Sequence, residues 1–279
     1  MNTLVIHAKQ LNTVQIELIE NEFNATLKKT ENHYRLQTET NPQDKIALIS
    51  QKIKIDINIL PSKFDGSQIK MLISDMDSTL IGIECIDEIA DMNNLKPQVA
   101  AITESAMRGD IDFESSLTQR VALLKAIETS ALEKVYKERL FLNKGAEEWV
   151  TGLKQKNIKF ALVSGGFTFF TDRLHKQLNL DFSRANTLEE SNGKLTGKVV
   201  GNIIGAEAKA VFLHELCEKL HIKPSQVVAI GDGANDLAMM KAAGLSIAYR
   251  AKPMVQAQAN MVFNYSNLDA VLDFLPTNS

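Results

Sequence analysis

Apolar positions in this chain follow two different rhythms, and the change between them falls near residue 69. Before that point the elements are short and mixed. Leu4-Val-Ile predicts a strand, Val14-Gln-Ile-Glu-Leu-Ile a short helix, and Tyr34-Arg-Leu-Gln-Thr a second strand. Asp44 to Lys52, with Ile46, Leu48 and Ile49 apolar, predicts a helix. Ile53-Lys-Ile-Asp-Ile-Asn-Ile alternates with the period of a half-buried strand. The succession fits a small α+β domain over residues 1–65, ordered β-α-β-β-α-β. Pro61 to Gln68, carrying Ser, Lys, Asp and Gly, reads as a linker. Nothing in this unit assembles a catalytic set.

From residue 66 to 279 strands alternate with helices, the pattern of an open parallel sheet. Strands are expected at 70–75, 158–163, 227–231 and 245–249, with a last strand at Met261–Phe263 and a short helix at Leu268–Phe274. The segment from about 84 to 143 is too long for a simple crossover. It predicts a helical cap: one helix near Glu84–Met92, one after Lys96-Pro97 with proline in its first turn, and one from Ile111 to about Ala126. Asn186 to Gly201 contains Ser191-Asn-Gly-Lys194, a two-residue hairpin turn. The fold class expected is α/β: a Rossmann-like open parallel sheet with a helical cap insert, preceded by the small α+β domain.

Three of the predicted strands end in polar clusters: Asp75-Met-Asp77, Ser164-Gly165-Gly166, and Gly231-Asp232-Gly-Ala-Asn235-Asp236. Ligands of open α/β sheets bind outside the carboxyl ends of the strands, so three such clusters converge on one place. Successive strand residues point to opposite faces, so Asp75 and Asp77 share a crevice only if the chain turns after Asp75. The two glycines after Ser164 let backbone N–H groups approach an anion, although a plain tight turn uses the same residues. Asp232 and Asp236, with Asn235 beside a helix N-terminus, offer the hard oxygen ligands that Mg²⁺ prefers.

Phe113, Leu117, Arg120 and Leu124 share one helix face, which turns Arg120 inward. Its guanidinium needs an anion, either a neighbouring carboxylate or one carried by a substrate. Lys209, Leu213, Leu216 and Leu220 repeat the pattern, so Lys209 either holds an anion at the sheet edge or snorkels to water. Glu84 reads as a dipole cap of the first cap helix. Met107 is ambiguous. Trp149 and Phe167–Phe170 read as packing, and the five histidines (His7, His33, His175, His214, His221) lie outside every cluster, as surface or packing residues. Together an aspartate nucleophile, a second aspartate as acid and base, a hydroxyl, a lysine and a carboxylate-held Mg²⁺ make a phosphoryl-transfer site.

Composition narrows the setting. Net charge is -3, from 31 basic and 34 acidic residues with no basic arm, which argues against nucleic acid as the main partner. Cys85 and Cys217 form no C-x-x-C pair, so neither a thiol zinc site nor a disulfide framework is expected. No apolar run reaches the roughly 20 residues of a membrane span, and the opening residues lack a secretory pattern. A cytoplasmic location without membrane attachment is expected.

Asp75-Met-Asp-Ser-Thr, Ser164-Gly-Gly, Lys209 and Gly231-Asp-Gly-Ala-Asn-Asp236, in this order, resemble the four motifs of the haloacid dehalogenase superfamily. Glu84-Cys-Ile-Asp-Glu-Ile-Ala, Met107-Arg-Gly, Phe113-Glu-Ser-Ser-Leu and Gln119-Arg120-Val-Ala-Leu-Leu-Lys resemble its phosphoserine phosphatase branch, and the likeness runs over about 69–275. The resemblance implies hydrolysis of O-phospho-L-serine to L-serine and phosphate, the last step of serine biosynthesis. Asp75 would attack phosphorus and form an aspartyl-phosphate; Asp77 would protonate the serine oxygen and then activate water. Ser164, the Gly165 N–H and Lys209 would hold the phosphoryl group. Mg²⁺ would take Asp75, the Asp77 carbonyl and Asp232, with Asp236 in support and Asn235 near the phosphate. Glu84 would meet the substrate ammonium, against the capping reading, and Arg120 its carboxylate, with Phe113 and Met107 closing the pocket.

The same motifs serve a phosphotransferase passing the phosphoryl group to another alcohol such as homoserine. A receiver-like signalling module, in which the aspartyl-phosphate is the switch, is a further alternative; Asp77 counts against it because an acid/base beside the nucleophile promotes turnover. Some relatives carry an ACT-like regulatory domain at the N-terminus. Here the loop Ala8-Lys-Gln-Leu-Asn-Thr has no glycine, so association (a homodimer) or packing is expected of residues 1–65 rather than effector binding.

Overall fold

The computed structural model describes residues 2–39 and 42–275. Its N-terminal part runs β1 (Asn2–Ile6), α1 (Thr13–Phe23), β2 (Lys28–Lys29), β3 (Tyr34–Thr38), α2 (Gln43–Ile53) and β4 (Ile57–Leu60). The strands form one antiparallel sheet of order β2-β3-β1-β4. Asn12 caps α1 through a reciprocal pair with Gln15. The alternating stretch expected as a strand from Ile53 begins only at Ile57. Ile46, Ile49 and Ile53 share the packed side of α2, and Lys54 then ends the helix with φ 56, so the helical register takes the first residues of the alternation. β2, two exposed lysines, carries no apolar signal, so one of the two middle strands in the expected β-α-β-β-α-β order had no residues assigned to it.

The larger part begins with β5 (Met71–Ser74), then the cap helices α3 (Cys85–Met92), α4 (Lys96–Arg108), α5 (Phe113–Leu123) and α6 (Ser130–Glu138). It continues through α7 (Ala146–Gln155), β6 (Lys159–Phe167), α8 (Thr168–Leu178), β7 (Phe182–Ser191), β8 (Lys194–Val200) and α9 (Ala206–Leu220). β9 (Val227–Gly231), α10 (Leu237–Ala242), β10 (Leu245–Tyr249), α11 (Pro253–Gln256) and β11 (Met261–Phe263) complete it, followed by a short 3-10 turn at Leu268–Phe274. The sheet order is β11-β10-β9-β5-β6-β7-β8. All neighbours are parallel except the β7–β8 hairpin, which turns on Asn192 and Gly193 with φ 52 and 75. The expected α/β architecture with its cap and small antiparallel partner is therefore the fold observed.

Three differences in detail matter. The cap has a fourth helix, α6, which buries Leu132 and Val135 and was not expected. Helix α5 is shorter than the stretch from Ile111, because Asp112 accepts from the Ser115 N–H and caps it. Ser164-Gly165-Gly166 does not follow strand β6 but lies inside it, where the pairing with β7 is irregular between Val163 and Phe167.

Apolar residues pack on both faces of the sheet, with Trp149, Phe160 and Phe170 on one side and Phe212, Leu213 and Leu216 on the other. The small sheet is tied to the large one by polar groups. Asp56 accepts N–H bonds from Asn264 (3.0 Å), Tyr265 (2.9 Å) and Ser266 (2.7 Å), and Asn58 exchanges two bonds with the Val262 main chain. His7 and His33 are buried, in line with the packing reading, and they also flank Asp273, with Nδ1 atoms 2.8 and 3.4 Å from its carboxylate. Arg35 Nε donates to His33 Nε2 at 3.0 Å. Burial opposes the charge on Asp273, and the hydrogen bonds from His33 and His7 hold its carboxyl below its usual range. Among the described residues no helix is long and apolar enough to cross a membrane.

Candidate active site

Strand β5 lies at the centre of the sheet, with β9 on one side and β6 on the other, so its carboxyl end meets both of theirs. Buried residues Met71 to Ser74 bring the chain to Asp75, whose N–H still donates to Ile230 of β9. The chain then turns: Met76–Leu80 close one loop, sealed by the Ile81 N–H on the Met76 carbonyl, with Ser78 at φ 57. This turn satisfies the condition for Asp75 and Asp77 to share one crevice.

Lys209 is fully buried in the first turns of α9 and does not snorkel. Its Nζ donates to Asp75 Oδ1 at 2.5 Å and to Asp236 Oδ1 at 2.7 Å. Asp236 Oδ2 in turn accepts the N–H groups of Asp232 (3.2 Å) and Gly233 (3.0 Å). Asp236 thereby fixes both the lysine and the loop that carries Asp232, and a side chain at Gly231 would collide with it at 2.4 Å. Carboxylate oxygens of Asp75, Asp232 and Asp236 lie within 4.8 Å of one another.

From the other side comes β6. Ser164 Oγ accepts from the Gly166 N–H at 2.8 Å. A Cβ on Gly166 would stand 2.6 Å from Asp77 Oδ2, and one on Gly165 would stand 2.7 Å from the ring of Phe113. The absence of side chains thus lets the acid and the cap close on this strand. Asp77 Oδ1 accepts the Cys85 N–H at 3.1 Å, which links the turn to the start of the cap.

The electrostatics are those of crowded carboxylates. Burial pushes Asp75 well above its usual value; Lys209 opposes this, while Asp236, Asp232 and Asp77 add to it. Asp77 is pushed up to about 6 by burial, against its hydrogen bonds from Cys85. Asp232 rises to about 7 through burial and then Asp236. Glu84 opens onto the crevice, yet protein crowds its carboxylate, and desolvation and then Asp77 push it to about 7. Burial opposes the charge on Lys209, but Asp236 and Asp75 together hold it above its usual range.

Five carboxylates (Asp75, Asp77, Glu84, Asp232, Asp236) thus face two cations, Lys209 and Arg120. That excess of hard oxygen donors fits a divalent cation, whose charge would offset the mutual repulsion of these carboxylates. The trio Asp75, Asp232 and Asp236 fits it by composition and spacing. Asp77's carboxylate is not in that trio; the expectation for it concerned its main-chain carbonyl.

In the cap, Arg120 is half-buried and has no ion pair among the described residues; its Nε donates to the Ser116 carbonyl of its own helix at 3.4 Å. Burial lowers it, while Asp87 and Glu84 favour its charge. Glu84 does occupy the N-cap position of α3, but its carboxylate makes no capping bond and accepts from Ser78 Oγ at 2.6 Å. The residue stands where a dipole cap stands, without a capping hydrogen bond. Met107, expected to close the pocket, is 63% exposed near the end of α4. Asn235 is half-buried, its carboxamide folded over Gly233.

Several contributors were not singled out from the sequence. Thr79 Oγ1 donates to Asp232 Oδ1 at 3.3 Å. Asn143 donates to the carbonyls of Thr79 (2.8 Å) and Ile81 (3.1 Å), tying the chain's return from the cap to the Asp75 turn. Asn186 donates to the Gly165 carbonyl and accepts from the Ile204 N–H, both at 2.8 Å. The two hydroxyls after Asp77 were visible as a signal; the two asparagines had none, since each acts on residues far away in sequence.

Residues 69–244 match the family model described as haloacid dehalogenase-like hydrolase. The chain is 50% identical over 224 residues to a phosphoserine phosphatase of Polaromonas sp., covering 78% of this chain and 95% of that one. A crystal structure of a probable phosphoserine phosphatase from Vibrio cholerae, unliganded, superposes with TM-score 0.85 at 36% identity, covering 98% of this chain and 86% of that one. A substrate-bound phosphoserine phosphatase complex matches with TM-score 0.71 at 38% identity, over 75% of this chain and 99% of the other.

Proposed function

Because the chain belongs to the haloacid dehalogenase-like hydrolases and, within them, to the phosphoserine phosphatases, we infer that it hydrolyses O-phospho-L-serine to L-serine and phosphate. The observation that carries this reading is the meeting of Asp75, Asp77, Ser164, Lys209, Asp232 and Asp236 where β5, β6, β9 and the start of α9 come together, beside the cap residues Glu84, Phe113 and Arg120. Transfer to homoserine and a signalling role are not favoured: relatives matched over nearly their whole length are named phosphatases.

The environments support the following roles. Asp75 attacks phosphorus as the bond to the serine oxygen breaks, and Asp77 gives its proton to that oxygen. A water molecule then attacks the phosphorus of the aspartyl-phosphate while Asp77 takes its proton, and phosphate leaves with the Asp75 carboxylate restored. A group poised near 6 is suited to both proton transfers at neutral pH. Lys209 opposes the rise that burial gives Asp75, and with Ser164 Oγ and the Gly165 N–H it steadies the phosphoryl oxygens. Asp236 positions Lys209 and the Asp232 loop, and Asn235 stands beside the phosphoryl pocket.

Mg²⁺ is the cation proposed; when bound by Asp75, Asp232 and the Asp77 carbonyl it supplies neutralising charge for the phosphoryl group. Arg120, half-buried and without an ion pair among the described residues, takes the substrate carboxylate, Glu84 the ammonium, and Phe113 and Met107 line the cap side. Residues 1–65 are proposed to serve packing or homodimer association, residues 66–279 catalysis, and the enzyme is proposed to be cytoplasmic. A panel of small phosphate esters assayed with Mg²⁺ and with EDTA tests the reading. Phosphoserine is expected to be turned over best and only with the metal; equal turnover of esters lacking amine and carboxylate would reject the substrate assignment.

A further inference from the structure

One contact in this pocket involves a residue with no part in the phosphoryl chemistry. Ser78 Oγ donates to Glu84 Oε1 at 2.6 Å. The serine reaches it from a left-handed backbone conformation, φ 57 and ψ -3, which side chains other than Gly, Asn and Asp seldom adopt. Its N–H donates to the Ile83 carbonyl at 3.2 Å, so residues 78–83 form a loop that returns Glu84 to Ser78. Glu84 forgoes the capping bond its position offers.

Both departures have the same consequence: a glutamate at the lip of the crevice, otherwise free to sample rotamers, is held by one oxygen. The hydroxyl has a single proton, spent on Oε1, which leaves Oε2 to accept from a ligand. Arg120 is near enough to Asp87 and then Glu84 for both to favour its charge, and no ion pair joins it to Glu84. One anionic and one cationic group are the complement of an amino acid's two charges.

We propose that Ser78 is a positioning residue for specificity: by fixing Glu84 Oε1 it aims the free carboxylate oxygen at the substrate ammonium, and so sets the preference for α-amino phosphate esters. This rests on the assignment of Glu84 to the ammonium. The test is steady-state kinetics of the full chain with Mg²⁺ on L-phosphoserine and on 3-phosphooxypropanoate, which keeps the phosphate and carboxylate and lacks the amine. Ser78→Gly removes the hydroxyl and accepts the left-handed backbone, so the fold is retained, as thermal melts would verify. The ratio of kcat/KM between the two esters is expected to fall about tenfold, through KM for phosphoserine, the loss that goes with one hydrogen bond to a charged group.

Ser78→Ala is expected to lower the ratio as Ser78→Gly does; a fall in the alanine variant alone would assign the effect to backbone strain and overturn the proposal. Equal losses on both esters in Ser78→Gly would overturn it as well, placing Ser78 in the phosphoryl site. Glu84→Gln separates the two levels of the argument. An unchanged ratio there would remove the ammonium assignment and the proposal with it, whereas a fall there without one in Ser78→Gly would reject Ser78 alone.

Discussion

Replacing Lys209 by methionine isolates the charge on which the carboxylate cluster depends. Methionine keeps most of the buried stem, so packing against Leu213 and the sheet is nearly conserved, while the ammonium and its bonds to Asp75 and Asp236 are lost. Each hydrogen bond to a charged group contributes about 1.5–3 kcal/mol. Stripping one partner from a buried ion pair costs about 3–5 kcal/mol, because the remaining charge stays uncompensated. The two figures agree on a loss near 4 kcal/mol, or roughly 8–16 °C in Tm for a domain of this size. Urea unfolding in EDTA at pH 7.5 measures it. Lowering the pH lets Asp75, already raised by burial, take up a proton and escape the penalty, so the difference from wild type shrinks toward pH 5. A variant within about 1 kcal/mol of wild type at pH 7.5 would refute the view that Lys209 is what makes this buried cluster tolerable.

Arg120→Ala is expected to lower kcat/KM for phosphoserine about ten- to a hundredfold while leaving phosphoethanolamine, which lacks the carboxylate, much less affected; equal losses would make Arg120 structural. Gly166→Ala brings a methyl to 2.6 Å from Asp77 Oδ2. It should therefore cut kcat about a hundredfold, with KM and Tm changed little; wild-type kcat would show that the approach of Asp77 is not needed. Metal binding is expected to depend on pH in a definite direction. Asp77 and Asp232, at about 6 and 7, hold protons in the folded metal-free chain that the unfolded chain has already released. The metal-free protein thus loses stability from these groups as pH rises from about 4 to 7, and Mg²⁺, which needs Asp232 ionised, raises Tm more at pH 7.5 than at pH 5. An equal rise at both pH values would contradict this.

The strand ends were legible because buried parallel strands leave an unmistakable apolar run, and the polar residues that interrupt it must have a use. Lys209 was legible for a similar reason: a charge at the head of Leu213 and Leu216 has nowhere neutral to go. What could not be read was tertiary. Helix α6 has only Leu132 and Val135 as buried anchors, too few for a periodic signal. Asn143 and Asn186 act through carbonyls 64 and 21 residues away. His7, His33 and Asp273 meet because the small sheet docks on the chain's last helical turn, a contact no local pattern encodes. Glu84 shows the limit most plainly, since the residue stands where a cap stands and its side chain turns elsewhere.

The account depends on a covalent bond forming between phosphorus and Asp75. Rapid mixing with L-phosphoserine and Mg²⁺, quenching with borohydride and peptide mass spectrometry would convert an aspartyl-phosphate to homoserine at its position. Homoserine at position 75, present only with substrate and missing from Asp75→Asn, is the result predicted. Steady phosphate release without modification at Asp75, or modification at another carboxylate, would contradict it.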